Sequence, residues 1–252
     1  MDKSSAYRDL VFKRKGDERT PWCRLCEEWL DRENCGLTNS AAFEYDTDQI
    51  GPWSDWQGNL DADILIVGQD WGDIATFQEF SGKNEPSPGV YKFKADANLV
   101  EFLELAGMDI GHPLKPNKAA PLFLTNAVLC LKPKMDTPVK SQWRRNCGPL
   151  FLRPLIEIIR PKLVIALGED AYKTIKKAYN RPRYSFSKAV KQGQQKPIDM
   201  DGFSLVPVFH PSPKGMIRHK PPEHEQIWRR IGEYITALPQ TTCAIPSGKL
   251  IT

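Results

Sequence analysis

The sequence contains no apolar run of about 18 residues, the length a membrane-crossing helix requires. Its N-terminal stretch, MDKSSAYRDLVFKRKGDERT, lacks the apolar core of a secretory signal, so the expectation is a cytoplasmic protein without a membrane anchor. There is no Gly-rich phosphate-binding loop and no internal repeat, which argues against a nucleotide-binding P-loop or dinucleotide fold and against a solenoid. Cysteines number only six, and in a reducing compartment such thiols serve more often as metal ligands, cluster ligands or buried residues than as disulfides. Acidic residues are missing altogether from Ala171 to Ile198.

That acid-free stretch carries eight positive charges, from Lys173, Lys176, Lys177, Arg181, Arg183, Lys188, Lys191 and Lys196. Lys132, Lys134, Lys140, Arg144 and Arg145 form a second basic cluster, and Lys214, Arg218, His219 and Lys220 a third. Any one of them alone reads as an ordinary solvated face. Three clusters flanking apolar strands favour a polyanionic partner, with nucleic acid the natural choice. The net charge of +4 is mild, and 40% apolar with 26% charged residues is a globular composition able to build a sizeable core.

Four segments, DILIVGQD (63–70), PLFLTNAVLC (121–130), LVIALGED (163–170) and SLVPVFHP (204–211), are continuous Val, Ile and Leu runs of strand length. Lacking polar alternation, they read as strands of a parallel sheet covered on both faces. Helical spacing is found at about 95–107, 141–159 and 169–179, and again at 222–237 behind Pro221 and Pro222. The fold class is therefore α/β and doubly wound, in one domain over 1–252. Residues 180–200 read as a basic insertion loop, and 239–252 as a loose tail.

In open α/β sheets ligands bind beyond the carboxyl ends of the strands. The first strand delivers Gly68, Gln69, Asp70, Trp71 and Gly72 there. The second delivers Asn126 and Cys130, and the fourth His210, Pro211 and Ser212. Gly168 and Glu169, after the third, read as the cap of the next helix. Cys23 and Cys26 form a CxxC, and 16 residues separate Cys130 from Cys147. The second pair lacks the spacing of a zinc ribbon; the four thiols suit either zinc or a [4Fe-4S] cluster. Cys35 and Cys243 are then spare.

Taken together, GQD with WG at 68–72, TNAVLC at 125–130, LVIALGEDA at 163–171 and HPSP at 210–213 resemble the uracil-DNA glycosylase superfamily. Cys23, Cys26, Cys130 and Cys147 resemble the cysteine pattern of its iron-sulfur branch, family 4, over an N-terminal cluster-binding segment at about 20–35. The resemblance implies a three-layer α/β/α fold around a four-stranded parallel sheet, and hydrolysis of the N-glycosidic bond of a flipped-out base in DNA by a monomer. It implies that Asp70 is the carboxylate near the sugar and His210 the donor to the departing base's O2. Asn126 reads the base, in a pocket that Gly68, Gln69, Trp71 and Gly72 help to form, with Phe77 or Phe80 stacking on the base. Ser212, Lys214 and Arg218 grip DNA. GQD is shared with family 1, whereas family 4 more often has GEAPG, so Asp70 departs from the cluster-bearing branch. Gly72 stands where family 1 carries a Tyr that excludes 5-substituents.

The substrate alternatives are uracil or a 5-substituted pyrimidine such as a modified cytosine in foreign DNA, because the Asn126 amide, turned by half a rotation, matches cytosine as well. A non-catalytic DNA-binding module is a further alternative, against which the presence of both Asp70 and His210 argues. No lysine is placed by motif for Schiff-base chemistry, so the expected enzyme is monofunctional and leaves an abasic site.

Overall fold

Strands covered on both faces need no polar side, and the four apolar runs form such strands. The computed structural model describes residues 2–15, 59–73, 94–112, 115–117, 119–129, 132, 134–182 and 184–239. Phe77, Phe80, Cys23, Cys26 and Cys130 lie outside the described residues. The elements run α1 (Lys3–Lys15), β1 (Ile64–Gly68), α2 (Lys94–Leu105), β2 (Gly111–His112), β3 (Lys115–Pro116) and β4 (Leu122–Asn126). There follow α3 (Ser141–Cys147), a π-helical turn (Gly148–Leu152), α4 (Arg153–Ile159), β5 (Leu163–Leu167) and α5 (Gly168–Ala178). The chain continues through α6 (Phe186–Gln195), β6 (Ile198–Asp199), β7 (Ser204–Val208), α7 (Pro213–Arg218) and α8 (Pro221–Thr236).

The main sheet has the order β4-β1-β5-β7-β6. Its four long strands are parallel, as the sequence implies, and β6 adds a short antiparallel edge on β7. From β1 the chain passes to β4 on one side and then returns to β5 on the other. That reversal opens a crevice at the end of β1, where doubly wound sheets take their ligands. Alternate side chains feed two cores. Ile64, Ile66, Leu124 and Ile165 meet Phe102, Leu103, Trp228 and Ile231 on one face. Leu65, Val67, Phe123 and Val164 meet Ile156, Ile159, Tyr172 and Ile175 on the other. Three layers result, helices covering both faces of the sheet.

Two expectations change. Residues 180–200 are not all loop, because Phe186–Gln195 is a helix whose Ala189, Val190 and Gly193 are buried. Its apolar residues are few, and the surrounding lysines hid their three-and-four spacing. The helix expected over 141–159 is interrupted by the π-helical turn; Pro149 inside it and Pro154 at the start of α4 each lack an amide proton for the helical ladder. Among the described residues no helix is long and apolar enough to cross a membrane.

Candidate active site

The carboxyl ends of β4, β1 and β7 supply the site residues. Gly68 ends β1 and Asn126 ends β4, and the two are paired in register. Asn126 is buried, and its amide lies directly over the Gly68 α-carbon: a β-carbon there would stand 2.2 Å from Asn126 Oδ1. Only glycine permits this approach, so the residue type at 68 sets where the amide sits. Beyond the strands the two chains stay zipped, Ala127 N–H donating to Gly68 O and Val128 N–H to Gln69 O.

Asp70 follows β1 in a tight turn. Its Oδ1 accepts from Gly72 N–H at 2.9 Å and its Oδ2 from Gln69 Nε2 at 2.8 Å. A third partner was not visible in the sequence: Lys132 Nζ lies 3.3 Å from Oδ1, with only 6% and 7% of the two side chains exposed. Lys132 belonged to a basic cluster read as part of a nucleic-acid-facing surface. It is instead buried, and its backbone N–H donates to Gly72 O at 2.8 Å.

His210 follows β7, facing the start of α5. The backbone N–H of Ser212 donates to His210 Nδ1 at 3.1 Å, so Nδ1 is the acceptor and Nε2 carries the proton of the neutral ring. Burial pushes the His210 pKa below its ordinary value, while the Asp70 charge acts in the opposite sense. Gly168, at φ +86°, backs the ring: a β-carbon there would stand 3.3 Å from His210 Cβ. The expected capping role of Gly168 and Glu169 gives way to this one, since the N-cap position of α5 is Leu167 and no side chain caps it. Asn98 of α2 steadies the turn from outside, donating from Nδ2 to Pro211 O at 2.7 Å.

An amide ending β4, a carboxylate following β1 and a neutral imidazole following β7, with β5 between the last two strands, occupy the motif positions singled out in the sequence. The sequence profile of the uracil DNA glycosylase superfamily matches residues 56–232, more than half of the chain. The chain belongs to this superfamily. It is 29% identical over 157 residues to the type-4 uracil-DNA glycosylase of Thermotoga maritima, covering 62% of this chain and 68% of that protein. It is 26% identical over 185 residues to the type-5 uracil-DNA glycosylase of Pyrobaculum aerophilum, covering 70% and 71% respectively. With the type-4 uracil-DNA glycosylase of Saccharolobus solfataricus it shares 26% over 190 residues, covering 73% and 77%.

Other residues of this superfamily member's expected site fall around that centre. Gly72 has φ +89°, and a β-carbon on it would stand 3.6 Å from Met135 Cε, so an exposed, flexible thioether covers the position. Trp71 packs against the core shared by α2 and α8, with its indole N–H buried, so its ring supports the site from the core side. Ser212 is the N-cap of α7, its hydroxyl accepting from Gly215 N–H, and Lys214 and Arg218 are exposed on that helix.

The basic clusters are less uniform than the sequence suggests. Lys176 is buried with its Nζ 3.9 Å from Met200 Sδ, Lys173 pairs with Glu169 and Arg181 with Asp201. Lys177, Lys188, Lys191 and Lys196 remain exposed. Arg144 of the second cluster pairs with Asp170, leaving Lys134, Lys140 and Arg145 on the surface.

Of the four candidate cluster ligands only Cys147 is described. It is 3% exposed and packs with Val128, Leu129, Trp143 and Phe151 in an apolar cluster of its own. Val128 and Leu129, at the exit of β4, therefore pack in the same cluster as Cys147. A buried sulfur donor in an apolar shell, beside the exit of β4, fits a thiolate-bound cluster. Among the described residues no group of three or more Cys, His, Asp or Glu converges on a metal position.

Proposed function

We propose that this chain is a monofunctional uracil-DNA glycosylase acting as a monomer on a base flipped out of DNA. The reading rests on one observation above others: the Ser212 N–H on Nδ1 commits Nε2 of a neutral His210 to donation, in a site shared with Asp70. When the bond between C1′ and the base nitrogen N1 breaks, its electron pair flows into the uracil ring and negative charge gathers on O2. A donor already held in place stabilises that charge without reorganising, an effect worth about 10²–10³-fold in rate. The sugar left behind is electron-poor. The Asp70 carboxylate stabilises it and accepts a hydrogen bond from the water whose oxygen bonds to C1′; the water's proton leaves through the carboxylate to solvent.

Asn126 offers uracil a bidentate match, its carbonyl accepting from N3–H and its amide donating to O4. Gly68 supports this role because only its missing side chain leaves room for the amide. Base extrusion costs a few kcal/mol, and Ser212, Lys214 and Arg218 on the α7 side are the groups that would offset it through phosphate contacts. Cys23, Cys26, Cys130 and Cys147 would hold a [4Fe-4S] cluster that ties loops in place and takes no part in breaking the bond. The superfamily match and the type-4 and type-5 relatives support the reaction class, and the two type-4 names support the cluster.

The cover over Gly72 favours a second reading, excision of a 5-substituted pyrimidine. A methionine side chain can swing away from a bulky C5 group, as a rigid ring fixed in the strand-end turn could not. Both readings are tested by incubating the protein with oligonucleotides carrying uracil, hypoxanthine, thymine or 5-modified cytosines, with and without alkali. Alkali-dependent scission at uracil alone supports the first reading and scission at 5-substituted bases the second. Strand scission without alkali contradicts a monofunctional enzyme, and no release from any substrate contradicts catalysis.

A further inference from the structure

Among the described residues, Lys132 is the one cation built into the interior of the site, and nothing in the proposed reaction uses it. Its ammonium sits 3.3 Å from Asp70 Oδ1 and donates to Met135 O at 3.0 Å, while its backbone N–H holds Gly72 O. Asp73 and Lys132 form a parallel bridge, so the segment leaving β4 is laid against the segment leaving β1. The acceptor positions of Asp70 can be counted. Oδ1 faces Gly72 N–H and the Lys132 ammonium, and Oδ2 receives Gln69 Nε2. A carboxylate offers about four acceptor positions, so among the described residues one remains, on Oδ2.

We propose that Lys132 is a positioning residue for excision. Its buried ammonium fixes the Asp70 carboxylate in one rotamer and occupies Oδ1, so that Oδ2 is the oxygen presented to the attacking water. This inference rests on the reading of Asp70 as the carboxylate beside the sugar. Lys132 is not a nucleophile in this role, because its ammonium is engaged by Asp70 and Met135 and forms no bond to C1′. A buried ion pair by itself contributes little net stability; its value here is geometric.

The test measures single-turnover uracil release from a single-stranded oligonucleotide by the full-length wild type and the K132M, K132R, D70N and D70N/K132M variants. Oligonucleotide affinity and thermal unfolding are followed in parallel. K132M is expected to slow release about 100-fold, as a misaligned reacting group does, with affinity nearly unchanged. K132R, keeping the charge, recovers part of the loss. D70N/K132M is no slower than D70N, because Lys132 acts through Asp70. Should K132M be too unstable to assay, K132R and the double variant, which leaves no unpaired carboxylate, carry the comparison.

Losses that multiply independently in the double variant, an unimpaired K132M, or a Lys132-dependent adduct trapped by borohydride would each overturn the proposal. A wild type that releases uracil while K132M does so equally well sinks only the role of Lys132. A wild type inert on every base sinks the glycosylase reading and this role together. The coupling of D70N and K132M in thermal unfolding then measures the ion pair without DNA.

Discussion

The Ser212 backbone N–H and His210 Nδ1 lie 3.1 Å apart, and that single contact decides which imidazole nitrogen can serve a substrate. A protonated ring would place two donors face to face there. Neutral His210 is therefore part of the turn geometry as well as of the proposed chemistry.

A pH dependence follows with a definite sign. Burial lowers the pKa of His210, and of the fully buried His224, below the ordinary 6.5. Above about pH 6.5 both are neutral folded and unfolded, and stability does not change on their account. As pH falls below that value the unfolded chain takes up protons first, so stability falls. Urea unfolding between pH 7.5 and 5 should track this loss, which shrinks in a His224→Phe variant. The acid limb of kcat/KM should lie below 6.5, and a limb above it would contradict the neutral-donor assignment.

Gly68→Ala is expected to act on Asn126, the amide proposed to read the base. The added carbon would stand 2.2 Å from Asn126 Oδ1, so the amide must move by roughly an ångström, a shift that costs about 10²-fold in kcat/KM. Steady-state kinetics on uracil-containing DNA measure it. Overpacking adds a stability cost of about 1–3 kcal/mol, seen as a lower unfolding midpoint.

Substitutions at Met135 should change selectivity at C5 and leave the chemistry at C1′ intact. Met135→Ala opens the space beside Gly72, and the thymine-to-uracil ratio of kcat/KM is expected to rise about 10-fold, the scale of one methyl group's discrimination. Met135→Phe should lower it. Equal ratios in both variants would show that C5 is guarded elsewhere.

Cys147→Ala removes a buried sulfur from the cluster around Trp143 and Phe151. Iron content and visible absorbance should fall, the melting temperature should drop by several degrees, and DNA affinity should weaken before single-turnover chemistry does. A stable, tightly binding but inactive Cys147→Ala would assign the cluster a chemical role.

The sequence by itself determined the four parallel strands and that Asp70, Asn126 and His210 lie at or just past three of their carboxyl ends, because each is a local signal. An unbroken apolar run specifies a doubly covered strand, and the polar residues ending it have nowhere to go except the crevice at the strand's carboxyl end. Only the tertiary structure decided that Lys132 is an internal partner of Asp70, since an ion pair depends on distance in space. Two positions from Lys134 in the chain, Lys132 reads as one more charge of a surface facing nucleic acid. The same holds for Phe186–Gln195, whose helix is stabilised by packing on β7, and for the His210 tautomer, set by an amide that reaches the ring only once the turn has closed.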